Sequence, residues 1–145
     1  MTTIDFEGIA PINSFSYFPN PAGLTQSGFN FTSSPDYLFV VDPGYFPPYY
    51  DWGAGAVLLG PQYGTINAAL PSGVTAVGSD IFSILDYASN FVINLSTGDS
   101  FTVSSSNYPN RSFVGFTSDI NITSISFQAT SGYTQLVGHQ VCIEG

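Results

Sequence analysis

The side chains that could perform catalysis are few in this sequence. His139 is the only histidine, and it alternates with Val137, Val141 and Ile143. This spacing predicts that it lies on the mainly apolar face of a last strand, as a hydrogen-bonded structural histidine does. Serines and threonines are abundant, but no Gly-x-Ser-x-Gly nucleophile elbow occurs, and one histidine beside many hydroxyls does not make a catalytic triad. We therefore predict a protein that is not an enzyme and has no catalytic residues.

The acidic side chains could bind a metal ion, and calcium is the ion that suits oxygen ligands. Asp5 and Glu7 are two residues apart, so they project from the same side of an extended strand. If the terminal strands lie side by side, Glu144 could join them and complete a structural calcium site. The alternative is that the three carboxylates lie on a solvated strand face. We expect no other cofactor.

An aromatic segment, residues 42–55, is the most unusual part of the chain. Five aromatic residues stand there among prolines and glycines: Tyr45, Phe46, Tyr49, Tyr50 and Trp52. An irregular stretch cannot direct all of them into one core, so some must be exposed or must meet a partner. Tyrosine and tryptophan combine a large rigid surface with a polar group, which suits both protein interfaces and stacking on sugar rings. A loop folded over the end of its own domain is the third interpretation.

The elements that must position these residues are strands. Apolar and polar residues alternate with period two in Phe91–Ser96, Ser100–Ser104 and Ser112–Thr117, and two further strands follow at Ile122–Ala129 and Gln135–Ile143. Turn-forming residues separate them. Residues 96–99 are few enough for a hairpin. The C-terminal third is therefore predicted to be a five-stranded meander.

The N-terminal half also favours short strands over helices. Candidate strands lie at Ile4–Glu7, Gly28–Thr32, Tyr37–Val41, Gly55–Leu59 and Ile81–Tyr87, each bounded by turn residues. Together the pattern predicts an all-β fold, an antiparallel β-sandwich or jelly roll of about eight to eleven strands. Each sheet should have one buried and one solvated face. We expect a single domain over residues 1–145.

Charge limits the partners that this chain can bind. Its 145 residues include one Lys or Arg, namely Arg111, and ten Asp or Glu, which gives a net charge of −9. A surface that follows nucleic-acid phosphates or anionic lipid needs many cations, so we exclude nucleic acid as a partner. No apolar run is long enough to cross a bilayer, and the first residues lack a signal-peptide pattern, so we expect no membrane insertion.

Several short stretches resemble the secreted β-sandwich domains of bacterial PEP-CTERM sorting proteins. They are Ile4–Ile9, Gly28–Phe31, Ile81–Ala88, Phe113–Ser118 and Ile122–Phe127. The resemblance implies a jelly-roll-like sandwich. The sequence lacks the sorting tail of those proteins, and His139-Gln140 stand where the resemblance implies an acidic pair near the last strand.

Two functional hypotheses follow. The first is a non-catalytic structural subunit on the surface of a larger assembly, such as a virion decoration protein or a cell-surface filament subunit. It would contact protein partners and form a homo-oligomer. The alternative is a carbohydrate-binding module that stacks sugar rings on the aromatic segment. In both cases we expect the protein on a virion surface, outside the cell or on the cell surface.

Overall fold

A computed structural model describes residues 2–45, 55–83, 90–104, 106–107, 112–130, 133–137 and 141–144. Within these ranges the chain forms fifteen β-strands in two sheets. The prediction of an all-β antiparallel sandwich is confirmed. The predicted strand count is too low because several strands have only two or three residues, a length at which alternation leaves no clear pattern. The described segments contain no helix that is long and apolar enough to cross a membrane.

The strands, in chain order, are β1 (Thr2–Ile4), β2 (Phe15–Tyr17), β3 (Leu24–Gln26), β4 (Phe29–Ser34), β5 (Phe39–Val41), β6 (Val57–Gln62), β7 (Thr65–Ala69), β8 (Ala76–Ser83), β9 (Asn90–Leu95), β10 (Ser100–Ser104), β11 (Ser106–Asn107), β12 (Ser112–Thr117), β13 (Ser124–Ala129), β14 (Tyr133–Val137) and β15 (Val141–Glu144).

The larger sheet has the order β1-β15-β8-β14-β6-β5-β2, and β11 and β12 also pair with β8. The smaller, six-stranded sheet has the order β10-β9-β13-β7-β4-β3. The pairing of β11 with β8 is parallel. Consecutive segments of the chain alternate between the two sheets, which is the connectivity of Greek-key and jelly-roll sandwiches.

The predicted hairpin at residues 96–99 is confirmed. Leu95 donates its N–H to the Asp99 carbonyl at 2.9 Å, and Gly98 donates to the Leu95 carbonyl at 3.0 Å. Gly98 has a φ of 96°, a conformation that glycine adopts without steric cost. The hairpin therefore ends in a glycine bulge, with Leu95 facing both Gly98 and Asp99.

The predicted C-terminal meander is wrong. After the β9–β10 hairpin the chain enters the larger sheet as β11 and β12, returns to the smaller sheet as β13, and crosses again for β14 and β15. The predicted strand Gln135–Ile143 is divided into β14 and β15, and residues 138–140 between them lie outside the described ranges. Alternation predicted the strands but carries no information on which sheet each one joins.

The core lies between the sheets and is rich in phenylalanine. Phe31 is fully buried between Phe6, at a ring-centroid distance of 5.6 Å, and Phe29, at 5.7 Å. In β9 and β13 every second residue is buried, which confirms for this sheet the prediction of one buried and one solvated face.

The larger sheet departs from this pattern at β5 and β6. In β6 the run from Val57 to Pro61 is buried throughout, although only one face of the strand turns to the core. Val40 of β5 and Leu58 of β6 belong to the core cluster, whereas their strand neighbours Val41 and Leu59 do not. The outer face of the larger sheet is therefore apolar at this end.

Candidate functional site

Five aromatic side chains form a continuous exposed group at this end of the larger sheet. We call it the aromatic surface: Phe15, Tyr17, Tyr37, Phe39 and Tyr45. Phe39 lies at its centre, with ring-centroid distances of 5.6 Å to Phe15, 5.1 Å to Tyr17 and 4.7 Å to Tyr37. Phe15 also contacts Tyr45, at 5.0 Å and an interplanar angle of 74°. Apart from the central Phe39, these rings are between 38% and 46% exposed.

Strand register explains why these rings share one face. β2 pairs with β5 so that Phe15 lies opposite Val41 and Tyr17 lies opposite Phe39. Directly opposed residues point to the same face of a sheet, and residues two apart on one strand do so as well. The outward-facing positions of β2 and β5 are therefore occupied by aromatic or aliphatic side chains.

A cavity of about 290 Å³ opens on the aromatic surface. Phe15, Tyr37, Phe39 and Tyr45 line it together with Val41 and Leu59, which are both buried. This volume is close to the lower end of the range for small-molecule sites, about 300–1,000 Å³. The site is a shallow apolar depression with aromatic walls.

The loop before β5 is held in place by a buried hydroxyl. The Ser33 hydroxyl donates to the Pro35 carbonyl at 2.9 Å and accepts the Tyr37 N–H at 2.8 Å. Asn20 reaches across from the preceding loop: its side chain donates to the Ser33 carbonyl at 2.8 Å, and its N–H donates to Asp36 at 3.1 Å. These bonds fix the backbone that carries Tyr37 and Asp36.

A tight turn holds the opposite side of the cavity. Tyr45 donates its N–H to the Asp42 carbonyl at 3.0 Å, and Asp at the first and Pro43 at the second position are the residues favoured in a type I turn. One oxygen of the Asp42 carboxylate accepts the N–H of Gly44 at 3.0 Å and that of Asn13 at 2.8 Å. The turn is thus tied to the segment before β2, and Tyr45 is held against Phe15.

Polar groups border the aromatic rings. The hydroxyl of Tyr17 donates a hydrogen bond to the Asp36 carboxylate, and this bond, with smaller contributions from desolvation and from the negative charge of Asp36, raises the pKa of Tyr17. Asp42 lies in the turn that carries Tyr45, and its carboxylate accepts the N–H groups of Asn13 and Gly44. A ligand that contacts Tyr17 would therefore meet a hydroxyl and a carboxylate beside the ring.

The residues predicted from the aromatic segment are placed only in part. Tyr45 belongs to the aromatic surface. Phe46, Tyr49, Tyr50 and Trp52 lie outside the described residues, so the prediction for them stays a prediction.

Sequence reasoning missed four of the five rings. A signal was available, because Phe15 and Tyr17, like Tyr37 and Phe39, are aromatic residues at period two. In the second pair's segment, Leu38 and Val40 occupy the alternate positions and are fully buried. When both faces of a short strand are apolar, only one face can pack against the core, so the other must stay exposed.

The predicted calcium site needs correction. The terminal strands do lie side by side, as the hypothesis required, but Thr2 is opposite Ile143 and Ile4 is opposite Val141. Glu144 therefore lies at one end of this strand pair, while Asp5 and Glu7 follow its other end. No three His, Cys, Asp or Glu side chains converge on a possible ion in the part of the chain that the structure describes.

The two N-terminal carboxylates have structural contacts instead. Asp5 accepts the N–H of Glu7 at 3.1 Å, and Glu7 accepts the N–H of Ala56 at 2.7 Å. The candidate histidine, His139, lies outside the described residues. The prediction of a protein without catalytic residues therefore stays a prediction.

Comparisons with known proteins give distant matches only. No family model matches the sequence, and no curated protein matches it. Among solved structures it is similar to a variant of CBM29-2, a family 29 carbohydrate-binding module, with 15% identity, a TM-score of 0.48, and coverage of 91% of this chain and 92% of that one. A variant complexed with cellulohexaose has 16% identity, the same TM-score and the same coverage. A further family 29 module has 15% identity and a TM-score of 0.47 over 91% of this chain and 89% of that one. Likeness at this level assigns neither a family nor a ligand to the chain, whose function has to be inferred from its own residues.

Proposed function

We propose that the protein is a non-catalytic carbohydrate-binding domain whose ligand stacks on the aromatic surface. The observation that carries the proposal is the exposed group of rings around an apolar depression, built from Phe15, Tyr17, Tyr37, Phe39 and Tyr45. Contiguous exposed apolar patches are typical of interaction sites and ligand-binding grooves. The surrounding hydrogen bonds hold Tyr37 and Tyr45 in place before a ligand arrives, which lowers the entropic cost of binding.

The chemistry of the surface suits a sugar. The C–H groups of a pyranose ring form an apolar face that can lie on an aromatic ring, while its hydroxyls point outward and need hydrogen-bond partners. The Asp36 carboxylate and the tyrosine hydroxyls are next to the rings and could form such bonds.

Charge narrows the class of sugar. The chain has a net charge of −9, no lysine, and one arginine, Arg111, which lies outside the described residues. Asp36 contacts Tyr17, and Asp42 lies in the turn that carries Tyr45. An acidic polysaccharide would be repelled by this field, so the proposed ligand is a neutral glycan.

Native affinity electrophoresis tests this function. The protein should migrate more slowly in gels that contain at least one of several neutral polysaccharides, such as glucan, mannan and xylan, and unchanged in gels with polygalacturonate. The double variant Phe15→Ala/Tyr45→Ala should lose the retardation. Tyr63→Ala is the matched control because Tyr63 is 60% exposed but is not among the residues that line the cavity. Absence of retardation in the whole panel, or equal retardation of the double variant, would overturn the proposal.

The second candidate function is a structural subunit of a larger assembly. The described residues give one specific observation in its favour: β10 (Ser100–Ser104) is an exposed edge strand of the smaller sheet, and an edge of this kind can pair with another chain. This hypothesis predicts protein partners, and with it a place on a virion or cell surface. Its site is distinct from the aromatic surface.

A further inference from the structure

Strand β10 is an edge of the smaller sheet. It pairs with β9 along its whole length, from Ser100 opposite Asn94 to Ser104 opposite Asn90. In the described part of the chain no strand occupies its other side. All of its residues except Val103 are exposed. Such an edge presents unpaired backbone groups to its surroundings.

The hydrogen-bond pattern shows which groups those are. Leu95 donates to Asp99, so this pair is hydrogen-bonded, and antiparallel ladders alternate hydrogen-bonded with non-hydrogen-bonded pairs. The pairs formed by Phe101 and Val103 with β9 are therefore hydrogen-bonded as well. It follows that Ser100, Thr102 and Ser104 direct their N–H and C=O groups away from β9, into the open edge.

The devices that usually protect an edge are missing from this strand. Natural edges carry a lysine or another charge, a proline or a bulge, each of which hinders pairing with a second chain. β10 has the sequence Ser-Phe-Thr-Val-Ser, and its register with β9 is regular. The glycine bulge at Gly98 precedes the strand.

The sequence of β10 is also nearly symmetric about Thr102. In an antiparallel pair of two copies centred there, Thr102 would face its own equivalent, and Ser100 would face Ser104. Phe101 would face Val103 of the other copy, an aromatic and β-branched pair of the type that stabilises sheets. Within one copy, the ring of Phe101 contacts that of Phe116, with centroids 4.9 Å apart. No charged side chain would enter the pairing.

We infer that β10 is a self-association site, at which a second copy of this chain adds its own β10 in antiparallel orientation about a two-fold axis at Thr102. The three outward-facing residues would then exchange N–H and C=O bonds across the axis. The result is a continuous sheet with six strands from each copy. This inference is independent of carbohydrate binding.

Sedimentation velocity over a series of concentrations tests it. The wild type should pass from monomer to dimer as its concentration rises, and Thr102→Pro should stay monomeric. Proline removes an N–H that faces the open edge, so the ladder with β9 is retained. Thr102→Val keeps the N–H and the branched side chain, and it should dimerise like the wild type.

A second variant tests the same pairing without proline, in case Thr102→Pro does not fold. Thr102→Lys places two like charges face to face at the axis and should raise the dimer dissociation constant at least about tenfold. The aromatic-surface variant Phe15→Ala/Tyr45→Ala should dimerise like the wild type. A wild type that remains monomeric at every concentration, or a folded Thr102→Lys variant that dimerises normally, would overturn the inference.

Discussion

The hydroxyl of Tyr17 donates a hydrogen bond to the carboxylate of Asp36, and the two residues lie on different sides of the β3–β4 hairpin in sequence. This contact joins the outward face of β2 to the loop before β5. It therefore fixes one rim of the aromatic surface and leaves the ring of Tyr17 exposed.

Tyr17 should ionise at a higher pH than an ordinary tyrosine, because the hydrogen bond to Asp36 favours its protonated form and raises its pKa above 10.0. A raised pKa in the folded state means that the contact stabilises the protein below about pH 10 and is lost as pH rises through the raised value. The check is the tyrosinate absorbance of the wild type minus that of Tyr17→Phe. Asp36→Asn should move the titration of Tyr17 down. A Tyr17 transition at or below the ordinary value would contradict the contact.

Aromatic residues of the core and of the surface should respond differently to truncation. Phe31→Ala removes a fully buried ring and should lower the free energy of unfolding by about 3–5 kcal/mol. Phe15→Ala removes a ring that is largely exposed, and its cost should be well under half of that. Urea denaturation of both variants measures the difference. Equal costs would show that Phe15 supports the fold instead of serving a ligand.

Gly23 should be irreplaceable for steric reasons. It has a φ of 60°, and a Cβ added there would lie 2.0 Å from the backbone oxygen of Phe31. Gly73 has a φ of 82° with open space around it, so it is the matched control. Gly73→Ala should cost about 1–2 kcal/mol from the backbone conformation alone. Gly23→Ala should cost clearly more, as thermal denaturation would show; similar melting temperatures would refute the close approach.

Glu7 should stabilise the fold through its hydrogen bond to Ala56. The Oε1 atom accepts the Ala56 N–H at 2.7 Å and so ties the N-terminal segment to the start of β6. Glu7→Ala should lower the free energy of unfolding by about 1 kcal/mol, whereas Glu7→Gln keeps an acceptor oxygen and should cost less. Chemical denaturation in the presence of a chelator separates this role from metal binding. A glutamine variant as unstable as the alanine variant would argue against the bond.

The fold class could be predicted because period-two alternation reports directly on which face of a strand is buried. The alternation predicted a strand over Phe91–Ser96, and its alternate residues Phe91, Ile93 and Leu95 are all buried. The hairpin with the adjacent β10 could be predicted as well, but the pairing of β9 with β13 on its other side could not. Pairing depends on contacts between distant residues, which local alternation does not encode.

Of the candidate site, only Tyr45 was identified from the sequence. Its companions come from two other segments, and only the register between β2 and β5 brings Tyr17 beside Phe39. The three carboxylates of the calcium hypothesis are a related case. Its condition, adjacent terminal strands, is met, but a register cannot be deduced from composition, and the register places Glu144 away from Asp5.

The position of β15 between β1 and β8 has a consequence for the order in which the protein can be built. A ribosome synthesises the N-terminal residues first and adds about 5–20 residues per second. Thr2–Ile4 pairs only with Val141–Glu144 among the described strands. β1 must therefore wait until those residues have been synthesised, and until then the larger sheet lacks both β1 and β15.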